Sequence, residues 1–223
     1  TGLLANRISA HDTEILPLLG LDTVEERLKI LEKSIKNNPE AKTLVGHSAG
    51  CLLVIKAMQE GLLDGVKKLV LLNPAPLPGM MFTPKDPVWS KTPKYLLGKM
   101  IWGKKVLLSD EDTMDLLSLS REELTAPGDS FGPESGKFML NTSILGQIGL
   151  GGYGRKMGPI SGKHYGVHIT VVTDHNDRMI GSNKFRIAEE FCDARKLTAT
   201  TINGHMDALM FYPDTMAKIN HHW

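Results

Sequence analysis

Three short stretches of this 223-residue chain carry side chains that could share a proton: Gly46-His47-Ser48-Ala49-Gly50, Val171 to Arg178, and Asn203-Gly204-His205. A serine hydroxyl is a poor nucleophile until a base removes its proton, and an imidazole does this well only when an acid holds it in the right tautomer. Ser48, His205 and a carboxylate would together supply covalent chemistry at a carbonyl carbon. Ser48 is the centre of G-x-S-x-G, a pattern that composition alone produces in on the order of one chain in ten. Its setting gives it more weight, because Lys42 to Val45 reads as a strand just before it and Cys51 to Met58 as a helix just after it. A strand that turns sharply into a helix forces the middle residue into strained backbone and projects its hydroxyl above the sheet. Such a turn calls for small residues at Gly46 and Gly50, where neighbouring elements come close. A serine that merely caps a buried helix is the plain alternative.

His205 is the best-placed base. It follows a run of strand character ending in Ile202, Gly204 permits a tight turn, and Ala208 to Phe211 then opens a terminal helix. The other histidines fit less well: His47 adjoins the serine but points elsewhere, His11 follows a strand without a glycine, His164 and His168 close an irregular stretch, and His221-His222 is a tail. Asp174 and Asp177 are the candidate acids. Asp177 is preferred, since a turn of several residues after the strand carries it over the sheet edge, whereas Asp174 stays near the strand end as an ordinary turn residue.

These residues need elements to hold them. Arg7 to Ala10, Lys42 to His47, Lys67 to Leu72, His168 to Thr173 and Leu197 to Ile202 are short apolar runs closed by polar, Gly or Pro residues, and read as strands. Leu69 to Leu72 and Ile169 to Val172 lack polar alternation, as strands covered on both faces do. Between them, Asp22 and Glu25 resemble a capping box, and Val24, Leu28, Leu31 and Ile35 form one apolar stripe on a helix ending near Asn37-Asn38-Pro39. Ser182 can cap a helix whose Phe185, Ala188, Phe191 and Cys192 share a face. Strands alternating with helices imply parallel pairing, hence a doubly wound α/β sheet.

The alternation breaks between Pro74 and about Gly166, where six prolines fall within residues 74–93, a Gly/Pro/Ser-rich stretch spans 127–136, and the helical patterns are short, such as Asp112 to Leu119. This is too long for a simple loop and, with Met80, Met81, Phe82, Trp89, Tyr95, Met100, Ile101 and Trp102, too apolar for a disordered excursion. The expected organisation is a core in two parts, 1–75 and 166–223, with an inserted cap at 76–165. The cap's Met and Trp residues could face lipid or pack on the core. Hydrophobic residues at 41% and charged ones at 23% describe an ordinary globular chain, and the longest apolar stretch, Cys51 to Ile55, is far too short to span a bilayer. A formal charge of +1, from 26 Lys+Arg and 25 Asp+Glu, speaks against nucleic acid. Two cysteines make no disulfide framework, and a reducing, cytoplasmic setting follows. Gly149, Gly151 and Gly154 formally fit G-x-G-x-x-G but follow no strand, and His164, His168 and His175 lack the spacing of a metal site, so no cofactor and no metal is expected. The oligomeric state is not legible.

The order Ser48, Asp177, His205, with GHSAG, VVTDHNDR and NGHMDALMFYPD around them, resembles the α/β-hydrolase superfamily of serine hydrolases across nearly the whole chain outside the cap. Arg7 to Asp12 is similar to the strand that precedes the elbow strand in that family. The resemblance implies an esterase-like or lipase-like enzyme that cleaves a carboxylic ester, lactone or thioester of a mostly apolar small molecule through an acyl-enzyme. It also implies an oxyanion hole using the Ala49 N–H and a second N–H from an earlier loop, which would fall before Thr1 or come from elsewhere. That gap keeps a non-catalytic ligand-binding protein open as an alternative, and the same triad with another acceptor would give an acyltransferase or perhydrolase.

Overall fold

The computed structural model describes residues 20–74, 94–107, 109–117, 134–141, 160–174, 192–193 and 195–199, together with residues 16, 18, 77, 80, 121, 177, 180 and 190. Helix α1 (Val24–Asn37) is followed by β1 (Thr43–His47), α2 (Gly50–Gln59) and β2 (Lys68–Leu72). The central stretch holds α3 (Lys94–Ile101), β3 (Lys105–Val106), α4 (Asp110–Leu117), β4 (Glu134–Ser135), α5 (Gly136–Leu140), β5 (Ile160–Ser161) and α6 (Gly162–Tyr165). Then come β6 (His168–Asp174), β7 (Cys192–Asp193) and β8 (Arg195–Ala199).

The sheet is parallel, in the order β1-β2-β6-β8. Its register sets His47 level with Leu72, Leu72 with Val172, and Val172 with Leu197, so every strand delivers its following loop to the same edge. Strands without polar alternation are those buried on both faces: Leu69, Val70, Leu71 and Leu72 are at most 2% exposed, and Val171 and Val172 are fully buried. Helix α2 is apolar nearly all round for the same reason, with Cys51 to Ile55, Ala57 and Met58 all buried. Gly61, at φ +73°, follows its end. Helix α1 shows the expected stripe, burying Val24, Leu28, Leu31 and Ile35 against that core.

Four local expectations need adjustment. The capping box of α1 is Thr23 with Glu26, one residue later than Asp22 with Glu25: Thr23 Oγ1 accepts from the Glu26 N–H at 3.1 Å and Glu26 Oε2 accepts from the Thr23 N–H at 3.0 Å. Asp22 instead accepts from the Ser135 hydroxyl at 2.7 Å, a long-range tie that the local pattern could not reveal. Strand β8 starts at Arg195, paired with Thr170, two residues earlier than expected, because register with β6 rather than apolar content sets its start. Cys192 lies in β7, parallel to β5, and not on the helix expected after Ser182; the pairing with Ile160-Ser161 and a 3.0 Å bond from the Ser161 hydroxyl to Asp193 outweigh the helical pattern. Helix α4 runs from Asp110 to Leu117, against the 112–119 expected, since the Ser109 hydroxyl accepts from the Asp112 N–H at 3.1 Å and anchors an earlier start. The strand expected at Arg7 to Ala10 and most of the helix expected after Ser182 lie outside the described residues.

The central stretch has a small apolar cluster of its own, Leu96, Met100 and Val106, while Leu77, Met80, Phe138 and Ile160 join the main core. It is fastened to α1 by the Arg27 guanidinium, which donates to both Glu134 carboxylate oxygens at 2.5 and 3.3 Å and to the Leu21 carbonyl at 2.7 Å, over the Phe138 ring.

Candidate active site

The residue between β1 and α2 is Ser48, and its backbone stands at φ +50°, a region that side-chain-bearing residues rarely enter. Both its main-chain groups are held. The Ser48 N–H donates to the Leu72 carbonyl at 3.0 Å, tying the turn to the end of β2, and its carbonyl accepts from the Cys51 N–H at 3.0 Å, starting α2. A residue held in the left-handed region costs about 1–3 kcal/mol, which the surrounding structure must offset. Gly46 shows how close the elements come: a Cβ there would meet Cys51 Cα at 2.9 Å and Cys51 N at 3.1 Å. At Gly50 a Cβ meets nothing within 4 Å among the described residues. Among the described residues the close approach is at the strand-side glycine; Gly50 is the first residue of the helix.

Ala49 is the N-cap of α2 and offers no side-chain cap. Its carbonyl accepts from the Leu52 N–H at 3.1 Å, and its own N–H has no partner among the described residues. An N–H beside a serine, at the positive end of a helix dipole, is suited to a developing oxyanion.

Asp177 lies three residues past β6 and is 3% exposed. Its Oδ1 accepts from the Ile180 N–H at 3.0 Å, which orients the carboxylate within its own turn. Asp174 is still within β6, paired with Ala199. His205 lies outside the described residues; β8, the strand before it, reaches Ala199 at the same sheet edge as Asp174. Among the other histidines, His164 packs edge-on against Tyr165 at 4.8 Å between ring centres, and His168 opens β6 at the opposite end of the sheet from Ser48.

One residue at this edge went unnoticed in the sequence. Asn73, fully buried just after β2, has φ +42° and donates its N–H to the Val172 carbonyl at 2.8 Å. It and Ser48 are the two non-glycine residues with positive φ among those described, at the ends of adjacent strands. The available signal was the dipeptide Asn73-Pro74, since asparagine tolerates the left-handed region and proline marks a turn.

A parallel sheet flanked by helices, with a strained serine where a strand turns into a helix, defines the α/β-hydrolase fold, and solved structures agree. A lipase-esterase related protein from Clostridium acetobutylicum has a TM-score of 0.61 at 14% identity, over 99% of this chain and 87% of that one. An extracellular α/β-hydrolase from a Paenibacillus species has a TM-score of 0.58 at 14% identity, over 97% and 91%. A monoacylglycerol lipase from Paleococcus ferrophilus has a TM-score of 0.55 at 20% identity, over 90% and 76%. The chain has the α/β-hydrolase fold, and its elbow-bearing part, residues 18–115, matches the model of a family described as serine hydrolase. No curated protein matches it. Among the described residues no helix is long and apolar enough to cross a membrane.

Proposed function

We propose that the protein cleaves a carboxylic ester, lactone or thioester of a mostly apolar small molecule through an acyl-enzyme formed on Ser48. Ser48 Oγ attacks the carbonyl carbon while His205 takes its proton, and Asp177 steadies the imidazolium. The oxyanion is met by the Ala49 N–H. Collapse of the tetrahedral intermediate expels the alcohol or thiol, which receives the proton from His205. A water molecule, deprotonated by the same histidine, then attacks the acyl carbon and releases the acid and free Ser48.

The observation that carries this reading is the strained φ of Ser48, +50° at a strand-to-helix turn, the geometry that projects the hydroxyl above the sheet. The sheet adds a distance argument. β1 and β6 lie two strand spacings apart, about 10 Å at about 4.8 Å each, so Ser48 and Asp177 need a bridging group. An imidazole delivered after β8 at the same edge is the right size and chemistry. Residues 76–165 act as the cap over this edge, between core parts 1–75 and 166–223, which is supported by the separate cluster of Leu96, Met100 and Val106. The two cysteines suit a reducing, cytoplasmic setting.

A fluorophosphonate probe followed by peptide mass spectrometry tests the assignment, with modification expected at Ser48. Labelling at another residue, or unchanged turnover of short p-nitrophenyl esters by Ser48→Ala, would overturn it.

A further inference from the structure

Helix α3 ends in a geometry that holds two large apolar side chains in water. The sequence Lys99-Met100-Ile101-Trp102-Gly103-Lys104-Lys105 closes the helix with the Gly103 N–H on the Met100 carbonyl at 3.0 Å and the Lys104 N–H on the Lys99 carbonyl at 2.8 Å, with Gly103 at φ +63°. This pair of bonds is a Schellman motif, which ordinarily brings an apolar contact between the two residues joined by the longer bond. Here both are lysines. Ile101 and Trp102 remain 66% and 78% exposed.

The tip is rigidly mounted. Gly136, opening α5, donates its N–H to the Lys104 carbonyl at 3.0 Å, and a Cβ on it would come within 2.3 Å of that carbonyl oxygen and 3.0 Å of the Lys99 carbonyl oxygen. Leu96, Met100 and Val106 are buried beneath. Tight packing below and bare Ile and Trp above form a displayed surface rather than a frayed end.

Charge indicates what covers it. Exposed Lys104, Lys105 and Lys137 flank the tip, while half-buried Lys99 sets its Nζ 5.4 Å over the Tyr95 ring, back along the helix. Lysines complement a helix carboxyl terminus in the last turn, which accounts for Lys99 and Lys104 but not for Lys105 or Lys137. The nearby acids Asp110, Glu111 and Asp112 belong to the other end of α3: Asp112 accepts from the Tyr95 hydroxyl at 2.5 Å, and Tyr95 is six residues, about 9 Å, from Ile101. Two such basic tips would repel each other, which disfavours a second copy. An apolar Ile-Trp wedge ringed by cations fits a surface with acyl chains below and negative headgroups at its plane.

We propose that the α3 tip docks the protein on an anionic lipid surface, with Ile101 and Trp102 entering the interface and the lysines meeting headgroup phosphates. This does not depend on the reaction assigned to Ser48, and Ser48→Ala binds as the native chain does.

The test is co-sedimentation of the full chain with vesicles of phosphatidylglycerol and phosphatidylcholine in equal parts, compared with phosphatidylcholine alone. Binding is expected on the mixed vesicles, at least tenfold weaker on the neutral ones, and weakened when salt is raised from about 0.05 to 0.5 M. Lys104→Glu with Lys105→Glu lowers the partition coefficient by at least about 20-fold, and Trp102→Ser by about tenfold, with unchanged circular dichroism. Because these side chains are exposed, the variants retain the fold. The proposal is overturned if the native chain fails to bind at millimolar lipid, if neutral and anionic vesicles bind alike, if the variants bind like the native chain, or if sedimentation shows Trp102 mediating self-association without lipid binding.

Discussion

At the scale of single residues, the proposed chemistry and the backbone strain converge on Ser48. Replacing it by alanine removes the nucleophile but not the positive φ, so turnover should fall by about 10⁶-fold where chemistry limits, with stability nearly unchanged. Glycine at the same position should also abolish turnover, yet raise unfolding free energy by about 1 kcal/mol because it enters the left-handed region without a Cβ clash. Comparing the two variants in urea, with ester turnover measured alongside, separates strain from chemistry; equal stability of the two would show that the elbow carries no strain. Gly46→Ala acts through packing, since its Cβ would sit 2.9 Å from a backbone atom of Cys51, and a loss of about 1–3 kcal/mol is expected from the same measurement.

Elements bring their own dependence on conditions. The capping box of α1 holds Glu26 below the usual carboxylate range, chiefly through the Thr23 backbone N–H and then its hydroxyl. A carboxyl whose folded value is depressed stabilises fully above its unfolded value of about 4.3, and that contribution disappears as pH falls through the folded value. The urea midpoint should therefore drop between pH 6 and pH 3 more in the native chain than in Glu26→Gln, whose cap does not titrate. Thr23→Ala, which removes the side-chain acceptor, should cost about 0.5–2 kcal/mol at neutral pH. The same segment shows why local pattern reading slipped by one residue. Asp22 and Thr23 are both good caps with a Glu three positions on, and only the bond from Ser135, 113 positions away in sequence, removes Asp22 from the choice.

At the scale of the molecule, Arg27 and Glu134 join α1 to the central stretch across 107 positions of sequence. The side chain of Arg27 is 4% exposed and that of Glu134 23%, so Arg27→Met should cost about 2–4 kcal/mol, below the top of the range for fully buried pairs. Thermal unfolding and faster proteolysis within 94–141 would report it. The parallel α/β architecture, the serine at the elbow, the strand before it and the buried helix after it could all be read from the chain, because each depends on near neighbours: runs of apolar residues, a glycine where a strand must meet a helix, a cap where N–H groups lack partners. The positions of Asp174 within β6 and of Asp177 three residues beyond it were legible for the same reason, since they required only counting residues past a strand. What the tertiary structure alone decided depends on residues far apart in the chain. Register with β6 set where β8 begins, pairing with β5 drew Cys192 into a strand, and the Val172 carbonyl placed Asn73 beside the elbow. Arg27 reads as an ordinary polar helix residue until Glu134 and Phe138 close around it. Periodicity and turn chemistry are short-range and are written along the chain, whereas burial, register and charge pairing exist only once the chain has returned on itself.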